Sequence, residues 1–185
     1  LKDIGVQSKN GSISINNHCQ TNMSNIYAIG DVVGPPWLAH KASAQGHMVA
    51  DLICGKRVHE IDYFNVPNCT YCQPQVASLG LTESKAKDLG HNIKVGKFFF
   101  RASGKAMAVG NTFGFVKLIF DDRYGELIGA HIIGDGATEM IAELNMAKAL
   151  ESTWEDLAMT MHAHPTLSEA VMEAAMDAFG SAIHQ

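Results

Sequence analysis

Short apolar runs separated by polar turns fill the middle of the chain and are typical of β-strands. Five of these runs are predicted strands: 76–80, 93–100, 106–109, 114–121 and 127–133. Three segments with apolar residues at helical spacing are predicted helices: 38–54, 137–150 and 167–183. Thr82 is a suitable N-cap for a further short helix over 83–89. Strands followed by helices favour an α+β fold, an antiparallel sheet with helices packed on one face.

The first part of the chain has a different pattern. Residues 1–25 are polar and turn-rich, and Asn10-Gly11 is a hairpin signal. Residues 26–29 form a short apolar run that stops at Gly30-Asp31, which predicts a buried strand. A polar connector follows the first helix, so we place a boundary near residues 61–63. The predicted domains are 1–62 and 63–185.

The composition excludes several classes of protein. The chain of 185 residues is 46% hydrophobic and 18% charged, too apolar for a disordered chain. It has 14 basic and 19 acidic residues, a net charge of −5, and no dense Lys/Arg block. No apolar run approaches the roughly 18 residues that span a bilayer. We therefore expect neither a nucleic acid nor a membrane as partner.

Two of the four cysteines, Cys69 and Cys72, form a CxxC sequence. The pattern occurs in redox dithiols and in zinc sites. A zinc site needs a second ligand pair at short spacing, and the sequence has no second CxxC. A redox dithiol needs a helix N-terminus, whereas Pro74 and an extended-looking segment follow here. We interpret the two cysteines as incidental thiols and expect no metal site.

The first segment that could carry chemistry is Gly30-Asp31 together with the start of the following helix at residues 37–40. Ligands of α/β sheets bind beyond the carboxyl ends of strands, and a helix N-terminus offers free N–H groups. Asp31 could accept hydrogen bonds from ligand hydroxyls there. The alternative is that Asp31 only caps a turn.

The second segment, residues 162–169, has the sequence HAHPTLSE. Pro165 forces His164 out of the helical conformation, so His164 can project into a cleft. Glu169 lies one turn into the helix, where its carboxylate could orient the His164 ring and raise its basicity. The alternative is that Thr166 and Glu169 form a capping box. His162 and His164 could also bind a metal, but no third ligand is near in sequence.

Together these segments resemble the C-terminal part of the dihydrolipoamide dehydrogenase family, a branch of the flavin disulfide reductases. Glu169 followed by Ala170 favours this branch over glutathione reductase, whose motif usually has two consecutive glutamates. The similarity extends over essentially the whole chain. The residues that carry it are 25–31, 37–42, Gly46, Tyr71, Pro74, 76–83 and 162–170, whereas Cys72 departs from the family's pattern, in which threonine is usual.

The resemblance implies a role for each residue of the first segment. Asp31 would bond the ribityl or phosphate region of FAD. Four residues at the start of the following helix would lie against the flavin, largely through backbone groups: Trp37, Leu38, Ala39 and His40. Residues 1–62 would then be the C-terminal portion of an FAD-binding domain, and residues 63–185 an interface domain.

The resemblance also implies an activity, the oxidation of dihydrolipoamide to lipoamide with NAD+ through a redox disulfide and FAD. His164 would be the acid/base and Glu169 would orient it. This pair would serve the flavin site of the partner subunit in a homodimer. Further partners would be the lipoyl domain and the E2 subunit of 2-oxo acid dehydrogenase complexes, in a bacterial cytoplasm or a mitochondrial matrix. Alternatives are a reductase of the glutathione or mercuric type and a non-catalytic dimerisation module.

Parts that the family needs do not occur in these 185 residues. The sequence has no Gly-x-Gly-x-x-Gly turn for FAD or NAD and no Cys-x4-Cys redox pair. We therefore expect a C-terminal fragment that is inactive alone, supplies the dimer interface and the His–Glu pair, and does not retain FAD or NAD.

Overall fold

The computed structural model describes residues 1–184, apart from the side chain of Lys2. They form two compact units, Leu1–Tyr63 and a second unit that begins at Phe64. Within these residues no helix is long and apolar enough to cross a membrane. Gln185, the last residue of the predicted second domain, lies outside the described residues.

A small hairpin and one long helix organise the first unit. Strands β1 (Ser8–Lys9) and β2 (Ser12–Ile13) pair antiparallel. Asn10 and Gly11 join them with φ angles of 53° and 83°, the left-handed conformations that a tight hairpin turn requires. Helix α1 (Ala39–Ile53) packs on a small core. That core consists of Cys19, Met48 and Val49, with Ile15, Tyr27, Val58 and Ile61 at its edge.

The predicted buried strand over residues 26–29 is wrong. Pairing is limited to one bridge between Gln20 and Tyr27. Two backbone hydrogen bonds support it, from Thr21 N to Ile26 O and from Ala28 N to the carbonyl of residue 19, both 2.9 Å. Ile29 is exposed. The pairing is too short to continue as a ladder, so the apolar run remains an extended segment.

The second unit is built on an antiparallel sheet of five strands in the order β3-β4-β7-β6-β5. The strands are β3 (Asn68–Thr70), β4 (Gln75–Gly80), β5 (Ile93–Phe99), β6 (Gly114–Asp121) and β7 (Leu127–Gly134). The helices are α2 (Glu83–Asp88), α3 (Gly104–Val109), α4 (Ala137–Ala149), α5 (Trp154–Met159) and α6 (Glu169–Asp177).

The main core lies between one face of the sheet and helices α4, α5 and α6. Leu118 and Phe120 of β6 and Leu144 of α4 are completely buried there. Each such side chain contributes about 1.5–3 kcal/mol relative to an exposed one. Ala86 of α2 packs with Ile119 on the opposite face. The predicted antiparallel sheet with helices on one face is therefore present, with the short α2 added behind it.

Four details of the second unit differ from the sequence prediction. Strand β3 was not predicted. Residues 106–109, predicted as a strand, belong to α3, because the Ser103 hydroxyl caps this helix and Gly110 ends it with a φ of 74°. Helix α5 was not predicted. Helix α6 is shorter than the predicted 167–183 and is followed by Gly180 with a φ of 72°.

Helix α6 lies close to strand β5 because Gly96 has no side chain. A Cβ at this position would overlap the carbonyl oxygen of Ala174. Gly96 does not have a left-handed φ, so the requirement for glycine is one of space alone. The contact sets the position of the helix that carries the candidate site.

Candidate functional site

His164 and Glu169 lie in contact where the chain enters α6. The Nδ1 atom of His164 is 2.8 Å from Oε1 of Glu169. A carboxylate only accepts, so Nδ1 donates its hydrogen and Nε2 becomes the basic nitrogen of the ring. The side chain of His164 is 76% exposed, which makes Nε2 accessible. The pair can take or give a proton at that atom.

Glu169 has both functions that the sequence left open. Its Oε1 holds His164, while its Oε2 accepts the backbone N–H of Thr166 at 2.8 Å, as in a helix cap. Burial raises the pKa of Glu169, but the Thr166 N–H, the His164 hydrogen bond and the charges of His164 and His162 outweigh it. The net effect lowers this pKa, so the carboxylate stays ionised beside the ring.

His162 has a different environment from His164. Its Nε2 lies 2.6 Å from Oε1 of Glu143 in α4, and its Nδ1 lies 2.9 Å from the carbonyl of Thr160. Both partners are acceptors, which favours the imidazolium form of the ring, with hydrogen on both nitrogens. The Glu143 hydrogen bond is the main cause of the raised pKa of His162, against the opposing effect of burial. The side chain is only 6% exposed.

The two histidines therefore do not converge on a common ligand. Each ring is bound to a different carboxylate, on a different helix. Within residues 1–184 no group of three or more His, Cys, Asp or Glu side chains could hold a metal ion. The His162–Glu143 pair was not predicted, because its members are far apart in sequence and only the packing of α4 brings them together.

A cavity of about 290 Å³ adjoins the exposed ring of His164. Phe98, Ala102 and Met107 give it apolar surface, and His164 and Glu169 form part of its polar wall. A second histidine–glutamate pair, formed by residues 184 and 173, lines the same cavity. This pair was not predicted from the sequence. The sequence did offer one indication of it, because Glu173 lies four residues after Glu169, on the apolar face of the predicted helix.

The residues predicted to contact FAD lie at the start of α1 and just before it. Asp31 is exposed in a 3-10 turn over Gly30–Val33. Trp37 is 69% exposed, and Ala39 and His40 are exposed in the first turn of α1. Leu38 is the N-cap residue and makes no side-chain hydrogen bond to the helix. An exposed indole beside a helix N-terminus without a side-chain cap suits an anionic, aromatic ligand.

Two buried polar residues, not predicted as functional, hold the Asp31 turn against α1. Lys41 is 1% exposed, and its ammonium donates to the carbonyls of Gly30 at 3.2 Å and Gly34 at 2.7 Å. The Gln45 amide oxygen accepts the Gly30 N–H at 2.7 Å. These contacts fix the backbone on either side of Asp31.

The CxxC cysteines lie at and after the edge strand β3, and both are free thiols. Burial is the main cause of the raised pKa of Cys69. The charge of Glu139 raises this pKa further, and a hydrogen bond with Tyr71 partly opposes the increase. A raised pKa disfavours the thiolate, which is the reactive form of cysteine. The surroundings of Cys69 therefore do not activate it.

Comparison with known families and proteins gives consistent matches. Residues 66–175 match the family described as pyridine nucleotide-disulphide oxidoreductase, dimerisation domain. Residues 1–46 match the family described as pyridine nucleotide-disulphide oxidoreductase. A dihydrolipoyl dehydrogenase of Rhizobium etli is 49% identical over 185 residues, all of this chain and 38% of that protein. One of Zymomonas mobilis is 48% identical over the same 185 residues, 40% of its length.

Solved structures share the fold. LpdA from Mycobacterium tuberculosis matches with a TM-score of 0.88 and 26% identity, over 92% of this chain and 38% of that one. The HOCl-induced flavoprotein disulfide reductase RclA from Escherichia coli matches with a TM-score of 0.86 and 25% identity, over 92% of this chain and 39% of that one. The predicted fold class is confirmed.

The chain spans about two fifths of the length of the curated relatives it matches. The family resemblance inferred from the sequence is confirmed by these relatives and by the family matches. Because the match over residues 66–175 covers more than half of the sequence, the chain belongs to the pyridine nucleotide-disulphide oxidoreductases, dimerisation domain family.

Proposed function

We propose that the chain is part of a longer flavoprotein that oxidises dihydrolipoamide to lipoamide with NAD+. The observation that carries the proposal is the His164–Glu169 pair, 2.8 Å apart, with an accessible Nε2 at the edge of a cavity. Relatives named dihydrolipoyl dehydrogenase, 47–49% identical over the whole chain, support the choice of substrate.

In this function His164 removes the proton of a substrate thiol through Nε2. The resulting thiolate attacks a redox disulfide of the longer protein, because the thiolate and not the thiol is the nucleophile. Glu169 holds the ring in the required tautomer and stabilises the imidazolium that forms. In the reverse direction the same nitrogen returns the proton to the departing sulfur.

Residues 1–62 are proposed to be the C-terminal portion of an FAD-binding domain, and residues 63–185 an interface domain. Asp31 would hold the ribityl or phosphate region of FAD, and residues 37–40 the flavin. The exposed indole and helix N-terminus described above are compatible with that role. FAD, when bound, would pass the two electrons from the reduced form of the redox disulfide to NAD+.

A dimerisation-domain match supports a homodimer. We propose that each His164–Glu169 pair serves the flavin site of the partner subunit, so the chain supplies the interface and the acid/base pair and is inactive alone. The lipoyl domain and the E2 subunit of a 2-oxo acid dehydrogenase complex are the proposed partners, in a bacterial cytoplasm or a mitochondrial matrix.

The test is the His164→Gln variant of the full-length protein, assayed with dihydrolipoamide and NAD+. Turnover should fall about 10²–10⁴-fold, the usual contribution of a general acid/base. His91→Gln is a matched control, because His91 also pairs with a carboxylate, that of Asp121, at 3.5 Å. His91 does not line the His164 cavity.

Unchanged turnover of the His164→Gln variant at neutral pH would refute the assignment. Parallel assays with dihydrolipoamide and with glutathione disulfide separate this substrate class from that of a glutathione-type reductase.

A further inference from the structure

Helix α6 carries a second carboxylate one turn after Glu169. Glu173 is 3% exposed. The chain that follows the helix folds back onto it, so that Oε2 of Glu173 accepts the backbone N–H groups of Ile183 at 3.2 Å and His184 at 3.3 Å. Oε1 lies 2.6 Å from Nδ1 of His184. A buried carboxylate thus has three donors, one of them an imidazole.

The two pairs lie side by side. Residues four apart on a helix have Cβ atoms about 5–6 Å apart, which applies to Glu169 and Glu173. His164 and His184 both line the same cavity of about 290 Å³. Among the described residues that line it, the other side chains carry no charge.

The two rings have the same orientation toward their carboxylates. Each donates from Nδ1, which leaves Nε2 as the proton acceptor. The side chain of His184 is 67% exposed, so a proton taken up at its Nε2 can pass on to solvent. Glu173 anchors that ring to the same helix that orients His164.

Dithiol oxidation releases two protons, one from each substrate thiol. One substrate sulfur loses its proton and attacks the redox disulfide, whose S–S bond breaks to give a mixed disulfide and one protein thiolate. The second substrate sulfur then loses its proton and attacks the first. The substrate S–S bond forms, the mixed disulfide breaks, and a second protein thiolate leaves. Two electrons pass to the protein sulfurs, and each of the two protons passes to a base, to solvent or to a protein thiolate.

We propose that His184, held by Glu173, is the second proton acceptor of this cavity: His164 takes the first thiol proton and His184 takes the second. This inference rests on the proposed function, since it assigns a further residue to the same dithiol oxidation.

The test is His184→Asn in the full-length protein with dihydrolipoamide as substrate. The asparagine amide can still donate to Glu173, but it cannot accept a proton near neutral pH. We expect turnover to fall about 10-fold with KM unchanged, less than for the main base, because solvent can replace an exposed acceptor. The variant should also regain turnover as free imidazole is added, since imidazole then accepts the second proton.

Ser181→Ala is the matched control in the same tail, because the Ser181 hydroxyl contacts the carbonyl of Met176 and does not line the cavity. It should keep the turnover of the unmodified protein. Unchanged turnover of His184→Asn overturns the inference. A loss that imidazole does not restore also overturns it, because His184 would then only anchor the tail. If the unmodified protein does not oxidise dihydrolipoamide at all, the proposed function fails as well.

Discussion

His162 and His164 are two residues apart and each is bound to a glutamate, yet their environments differ. His162 is buried, and acceptors occupy both of its ring nitrogens. His164 is exposed, and its carboxylate binds only Nδ1. The number of acceptors around a ring therefore decides whether its protonated form is stabilised or one of its nitrogens stays accessible for proton exchange.

The same difference separates structural and chemical roles in this segment. The His162–Glu143 contact ties the chain between α5 and α6 to α4. With this anchor in place, His164 is held at the start of α6, beside Glu169. We infer that His162 stabilises the segment and that, of these two histidines, His164 alone keeps a ring nitrogen accessible for proton exchange.

The largest expected effect is a loss of activity without a loss of stability when His164 is replaced. In His164→Gln the proposed turnover loss of about 10²–10⁴-fold should occur with little loss of fold stability. An exposed side chain away from the core usually changes the free energy of unfolding by at most about 0.5 kcal/mol. Denaturant unfolding of the 185-residue chain measures this second quantity, and a loss of several kcal/mol would contradict the comparison.

The opposite result is expected at His162. In His162→Gln the amide fills a similar volume but cannot donate to both Glu143 and Thr160 as an imidazolium does. The free energy of unfolding should fall by about 2 kcal/mol, since hydrogen bonds to charged groups contribute about 1.5–3 kcal/mol. Unfolding in denaturant measures the change. A variant as stable as the unmodified chain would show that this part-buried pair is not an anchor.

The sequence predicted the candidate site where its residues are close along the chain. Pro165 and the five-residue spacing were enough to bring His164 and Glu169 together as a candidate pair. The partners of His162 and Glu173 could not be predicted, because Glu143 and His184 reach them through helix packing and a reversal of the chain. Contacts of that kind depend on the tertiary arrangement of helices and strands, which the local sequence pattern does not determine.

The fold shows the same limit. Strands β4, β5, β6 and β7 and helix α4 were predicted close to their bounds, because their apolar runs end at strong turn signals. Strand β3 was not predicted, because its three residues are too few to show an alternating pattern. Residues 106–109 were assigned to a strand from their apolar character, but the caps at Ser103 and Gly110 give a helix. The strand predicted from the apolar run at 26–29 does not form, because a strand needs a partner of matching length and only one bridge is present here.

The pH dependence of stability gives the smallest and most specific prediction. The pKa of His162 is raised above the unfolded value of 6.5, with Glu143 as the main cause. Its stabilisation is therefore fully present below pH 6.5 and is lost as the pH rises through the raised folded-state pKa. The stability difference between the unmodified chain and His162→Gln should shrink with rising pH, as measured by denaturant unfolding at a series of pH values.

Glu169 supplies the control with the opposite sign. Its pKa is lowered below the unfolded value of 4.5, so its stabilisation is present above pH 4.5 and is lost as the pH falls through the folded-state pKa. The stability difference between the unmodified chain and Glu169→Gln should therefore shrink on the acid side. An imidazolium loses its charge as the pH rises, whereas a carboxylate loses its charge as the pH falls. The two stability differences should therefore change with pH in opposite directions. A change in the same direction would contradict the charge states inferred for His162 and Glu169 from their hydrogen bonds.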